Sequence, residues 1–87
     1  MQFYYAYVLQ EIVSKSLYIG FTADLRKRIK GHNSGDTKTT KKGNYKLIYY
    51  ESYLNKADAL GREKFLKGGS GRKYLNKQLA HYFKENV

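Results

Sequence analysis

Tyr7 and Tyr18 stand eleven residues apart, Arg28 follows ten later, and His32 comes four after that. A guanidinium and an imidazole one helical turn apart can donate together to a phosphate, and the imidazole can also carry a proton near neutral pH. A fifth group breaks a pattern. In the run from Lys56 to Lys67, Ala59, Leu60 and Leu66 lie at i−4, i−3 and i+3 from Glu63, so a carboxylate sits mid-stripe on the face expected to pack on a sheet. Burying an unpaired carboxylate is costly, and the expected compensation is a cation, either a side chain such as Arg28 or a bound metal ion. Most of the ten tyrosines are expected to be packing, since Tyr suits a half-buried strand. Tyr7 and Tyr18 stand out by their intervals to Gly20 and Arg28.

The elements that position these groups follow from periodicity. Phe3 to Gln10 and Lys15 to Phe21 are rich in Tyr, Val, Ile and Leu and flank EIVSK, which suggests a β-hairpin. A turn centred near Ile12 and Val13 places Tyr7 opposite Tyr18, and alternation puts Leu17, Ile19 and Phe21 on one face and Tyr18 with Gly20 on the other. Thr22 is the expected cap of a helix running to about Asn33, with Asp24 in its first turn and Leu25 and Ile29 at helical spacing. Tyr45 to Tyr53 reads as a third strand with large residues on both faces, which suggests a central position. Asn55 with Asp58 opens a second helix that stops at Gly68 and Gly69. A last helix capped by Ser70 would bury Leu75, Leu79 and Tyr82 or Phe83. The expected order is β-β-α-β-α-α, an α+β domain over residues 1–87.

Composition narrows the partners. Seventeen Lys and Arg against seven Asp and Glu give a formal charge of +10 on 87 residues, a field that attracts polyanions. If about five of these cations met duplex phosphates, log affinity would fall against log salt with a slope near −4.5. No apolar run approaches the roughly 20 residues of a membrane helix, and no long basic amphipathic helix carries Trp or Phe for a membrane surface. The absence of cysteine excludes disulfides and thiolate metal sites. The opening MQFYYAYVL lacks the features of a secretory signal, so a cytoplasmic location is expected. Nucleic acid is the leading partner. Lys38, Lys41 and Lys42 in the polar stretch from Gly35 to Asn44, with Arg72 and Lys73 in GGSGRK, are candidate backbone contacts. The glycines of that segment admit two readings, a close approach to phosphate by backbone N–H groups or a helix stop followed by a cap.

Together Tyr7, YIG at Tyr18 to Gly20, Arg28, His32 and the helical Glu63 resemble the GIY-YIG nuclease superfamily. The stretches YAYVL, SLYIGFTADLRKRIKGHNSG, LIYYE and ALGREKFLKGGSGRKYL extend the likeness to its small stand-alone bacterial members, which are similar to the nuclease domain of the excision-repair incision subunit. The resemblance implies a three-stranded antiparallel sheet packed by helices, and hydrolysis of a DNA phosphodiester, the duplex or branched DNA being recognised by structure rather than sequence. It further implies one divalent cation, Mg2+ or Mn2+, held by Glu63. Tyr7 would help activate the attacking water with Tyr18 beside it, Arg28 would stabilise charge on the scissile phosphate, and His32 would assist. No small-molecule cofactor is implied. The GIY element reads Tyr5, Ala6, Tyr7, Phe21 stands where the repair subunit carries a lysine, and Asn76 is the match for a C-terminal asparagine of other members. The alternative is a catalytically weak or inactive nucleic-acid-binding module of the same fold.

Overall fold

The computed structural model describes residues 1–34 and 44–85. These contain three strands, β1 (Tyr4–Glu11), β2 (Leu17–Thr22) and β3 (Tyr45–Tyr53), and four helices, α1 (Leu25–Ser34), α2 (Lys56–Lys67), α3 (Gly69–Gln78) and α4 (Ala80–Glu85). The fold is α+β, with one antiparallel sheet in the order β2-β1-β3. The expected order of elements holds, except that the last helix is broken at Leu79, whose φ of −108° and ψ of 26° interrupt the helical run.

The central strand is β1 and not, as its large residues suggested, β3. Ala6 through Gln10 are buried without interruption, as a strand covered on both faces requires. Strand β3 is an edge, and its bulk on both faces has a local cause. Val8 pairs with Tyr49 and Leu9 with Leu47, so Ile48 is an extra residue in a β-bulge, and pleat alternation is reset there.

The hairpin register differs from expectation by two residues. Tyr7 lies opposite Gly20, and Tyr18 opposite Leu9. The cause is a longer loop, in which Lys15 takes a left-handed φ of 65° and the Glu11 carboxylate accepts from the N–H groups of Val13 and Ser14 at 3.0 Å. A slip of two preserves the faces, so Tyr7, Gly20 and Tyr18 still share one.

The other face carries the apolar core, where Ala6 and Val8 pack with Leu66 of α2 and Leu75 of α3. Helix α2 is capped by Asn55, whose side chain accepts from Ala57 N–H at 2.8 Å. Helix α1 is capped by Asp24 rather than Thr22: the Asp24 carboxylate accepts from Lys27 N–H at 3.1 Å, while Thr22 Oγ1 accepts from Asp24 N–H at 3.0 Å. Nor does Ser70 cap α3. That helix starts at Gly69 with no side-chain cap, and buried Gly71 crosses the end of α2 so closely that a Cβ there would lie 2.1 Å from the Phe65 carbonyl. The glycine-rich segment is therefore a helix stop followed by a close helix crossing. No helix among the described residues is long and apolar enough to cross a membrane.

Candidate active site

The site is built on the sheet face covered by α1. Tyr7 projects from β1 over Gly20, and the fit is tight: a Cβ at position 20 would lie 2.4 Å from the Tyr7 hydroxyl. The glycine of YIG is thus the slot that admits the phenol ring. Helix α1 brings His32 against it, with Tyr7 Oη and His32 Nε2 2.8 Å apart. The imidazole also packs on Tyr18, ring centroids 4.4 Å apart, and on Tyr45 at 5.9 Å.

The end of α1 is fixed by its next residue. Asn33 Oδ1 accepts from Tyr45 N–H at 2.6 Å and its Nδ2 donates to the Tyr45 carbonyl at 3.2 Å. One amide side chain thereby closes the outer edge of β3 and holds the turn of α1 that carries His32. The sequence offered only a faint signal for this, an Asn at the end of a helical pattern.

Electrostatics tie the remaining groups to the pair. Burial, reinforced by Tyr18, pushes the Tyr7 phenol well above its ordinary value; Arg28 opposes that rise and Glu63 adds to it. Burial and then the Arg28 charge push His32 below the ordinary histidine value. Near pH 7 the phenol therefore keeps its proton and the imidazole is neutral, so the 2.8 Å bond joins two uncharged groups, its donor set by the imidazole tautomer. Tyr7, Tyr18, Arg28, His32 and Glu63 share one electrostatic neighbourhood. Exposure divides them: Tyr7 and His32 are both 0% exposed, Tyr18 is half-buried, and Arg28 is exposed.

Glu63 is neither sealed in the core nor salt-bridged to Arg28. Its side chain is 22% exposed and its Oε2 lies 3.0 Å from Lys67 Nζ, one turn along α2. The expected stripe is narrower than the sequence suggested, because Leu60 is 40% exposed and only Ala59 and Leu66 of this helix are buried. Arg72, Lys73 and Asn76 are exposed on α3. Lys38, Lys41 and Lys42 lie outside the described residues.

The family model of the GIY-YIG catalytic domain matches residues 3–77. The chain belongs to the GIY-YIG family. Similar relatives of this GIY-YIG chain include the UPF0213 protein in the ldhD 5' region of Pediococcus acidilactici, 37% identical over 87 residues, covering 95% of this chain and 83% of the relative. The UPF0213 protein CPE1444 of Clostridium perfringens is 45% identical over 65 residues, covering 72% and 69%. The solution structure of the UPF0213 protein BH0048 from Bacillus halodurans superposes with a TM-score of 0.53 at 33% identity, covering 92% of this chain and 84% of that one.

Whether Glu63 suits the divalent cation that GIY-YIG nucleases generally use is decided by its donor set. Among the described residues no group of three or more His, Asp or Glu side chains converges as a cage. A single, partly exposed carboxylate fits Mg2+ or Mn2+, hard cations that can keep several waters and take further oxygens from a substrate phosphate.

Proposed function

We propose that this GIY-YIG nuclease-family chain, as one catalytic unit over residues 1–87, is a metal-dependent endonuclease that hydrolyses DNA phosphodiesters and selects DNA by backbone and shape. The observation that supports it most is the Tyr7 hydroxyl, which bonds His32 and feels Tyr18, Arg28 and Glu63 together. The formal charge of +10 favours a polyanionic substrate.

Exposure suggests how the work is divided. The Arg28 guanidinium, open to solvent, binds non-bridging phosphate oxygens and stabilises the charge that grows as water attacks phosphorus. Tyr18, at the boundary, orients that water. Tyr7 stands behind it with no accessible surface, so its part is the hydrogen bond to His32, which holds the phenol in place beside Tyr18 and Arg28. A divalent cation held by Glu63 would supply positive charge to the phosphate and acidify water. The attacking water gives up its proton to solvent, the P–O bond to the leaving oxygen breaks, and that oxygen takes a proton from a solvent water.

The test is incubation of the purified protein with plain, flapped and branched duplex DNA in Mg2+ or Mn2+. Metal-dependent cleavage that Glu63→Ala abolishes is the expected result; no cleavage of any substrate, or cleavage indifferent to that change, overturns it. One observation favours a binding module instead, the complete burial of Tyr7 and His32. That reading expects salt-sensitive, metal-independent DNA binding that survives Glu63→Ala and Arg28→Ala together.

A further inference from the structure

A second polar cluster lies on the core side of the sheet. Glu51, on β3, pairs with Ala6, and so shares its face with α2. Its two oxygens receive four donors. Arg62 Nε and an Nη each donate at 2.7 Å, one to each oxygen; the Tyr49 hydroxyl donates at 2.5 Å, and the Tyr53 hydroxyl donates to the remaining side. Tyr49 and Tyr74 hydroxyls are 3.0 Å apart, and the Arg62 guanidinium lies over the rings of Phe65 and Tyr74 at 4.8 and 4.9 Å.

Its position on α2 gives this cluster a use. Ala59 and Leu66, two turns apart, are the buried residues of that helix. At 3.6 residues per turn, Arg62 projects about 60° to one side of Ala59 and Glu63 about 40° to the other. The Gly71 crossing fixes the end of α2, and the rotation of its middle turn against the sheet is set by side-chain contacts. The two-pronged Arg62–Glu51 bond determines it, because a planar guanidinium against a carboxylate accepts only a narrow range of orientations. With Arg62 fastened to β3, at one edge of the sheet, the helical period puts Glu63 on the β2 side of the buried stripe, and its charge reaches Tyr7 on the other sheet face.

We infer that Glu51 and Arg62 are positioning residues that set the rotation of α2 and thereby aim the Glu63 carboxylate at the Tyr7–Tyr18–Arg28 pocket. Neither touches the reacting phosphate. The inference rests on the nuclease reading for its consequence in catalysis, but its geometric content stands apart from it. Arg62→Lys keeps the positive charge and loses the two-pronged bond; Glu51→Gln keeps the shape and loses the negative charge.

The test compares both variants with the whole wild-type chain below their melting temperatures. The crystal structure of each folded variant is expected to show Glu63 displaced by about 1 Å or more from the Tyr7 hydroxyl, a misplacement able to cost about a hundredfold in rate. On branched DNA, kcat is expected to fall at least about tenfold while KM stays within about twofold, since the basic surface that binds DNA is untouched. With Mn2+ alone as probe, paramagnetic broadening of the Glu63 and Gly20 amides is expected to need several times more metal than in wild type. Generic loosening would instead raise KM or lower stability without that split. Glu63 unmoved in both variants, or kcat and Mn2+ response both at wild-type values, overturns the proposal. If one variant fails to fold, the other decides. If wild type neither cleaves DNA nor responds to Mn2+ while Glu63 still shifts in Arg62→Lys, the nuclease reading falls and the positioning clamp stands.

Discussion

Glu51 and Glu63 are carboxylates attached to opposite sides of the same interface, one on β3 and one on α2, and they have opposite surroundings. Glu51 is 14% exposed and every oxygen has its donors: a bidentate guanidinium and two phenols. Burial acts to raise its pKa, but Arg62, Tyr49 and Tyr53 overcome that and hold it near 2. In return burial and the carboxylate push Tyr53 up to about 12. Glu63 has one cation, on a Lys67 side chain that is 56% exposed. A saturated acid has no capacity left for a ligand, whereas an acid with one weak partner can exchange it. Polar satisfaction, more than burial, separates the structural glutamate from the candidate metal ligand.

The largest effect that sharpens this contrast is expected at Glu63. Glu63→Gln removes the charge that would hold the cation, and kcat for DNA cleavage should fall about a thousandfold, as loss of several kcal/mol of charge stabilisation requires. Thermal unfolding should scarcely change. At Glu51 the pattern reverses. Arg62→Ala leaves a mostly buried carboxylate without its cation and should cost about 3 kcal/mol in denaturant unfolding. The acid limb is a second reading of the same clamp. Glu51 is depressed in the folded state, so the unfolded chain takes up the proton first. Its stabilisation is complete above the ordinary value of 4.5 and is lost as pH falls through about 2. Arg62→Ala should flatten the wild-type stability curve across that window. If instead Glu63→Gln proved the destabilising change and Arg62→Ala left stability intact, the contrast would be broken.

The same contrast explains what the sequence disclosed. Tyr7, Tyr18, Arg28, His32 and Glu63, the proposed catalytic groups, stand out in the sequence because they are spaced by elements whose periods are local: a hairpin, one helical turn, an interrupted stripe. Helix α2 was placed at Lys56–Lys67 because its cap and its glycine stop are sequence-local signals. The strand order was hidden, since the bulge at Ile48 fills both faces of an edge strand and imitates a central one. The hairpin register was hidden for a similar reason, as nothing in IVSK announces a left-handed Lys15. Arg62, beside Glu63, carries no sequence signal of its role, because its partner is on a strand eleven residues away and the pairing exists only after packing. The burial of Tyr7 and His32 is likewise a product of tertiary packing.

A smaller effect probes the pocket's geometry rather than its charges. Gly20→Ala sets a methyl where the Tyr7 hydroxyl lies, at 2.4 Å, so the buried ring must shift. The strain should lower stability by about 2 kcal/mol, within the range for overpacked cores. It should also displace the phenol from His32. The displaced imidazole should titrate closer to its ordinary value, a shift that proton NMR of His32 would register. An unchanged His32 titration in folded Gly20→Ala would mean that the Tyr7 bond and its burial do not govern that ring.

The smallest effect isolates the exchangeable partner. An exposed i, i+4 pair such as Lys67–Glu63 is worth about 0.3–0.5 kcal/mol, so Lys67→Met should barely alter unfolding. Its value lies in what Glu63 gains. Freed of a competing ammonium, the carboxylate should bind Mn2+ about twofold more tightly, the affinity equivalent of the same few tenths of a kcal/mol. The corresponding removal of Arg62 cannot produce such a gain at Glu51, whose oxygens still receive the hydroxyls of Tyr49 and Tyr53. Paramagnetic titration of the Glu63 amide in Lys67→Met measures this directly. Weaker Mn2+ binding there would mean that Lys67 holds the carboxylate in place for the metal instead of competing with it.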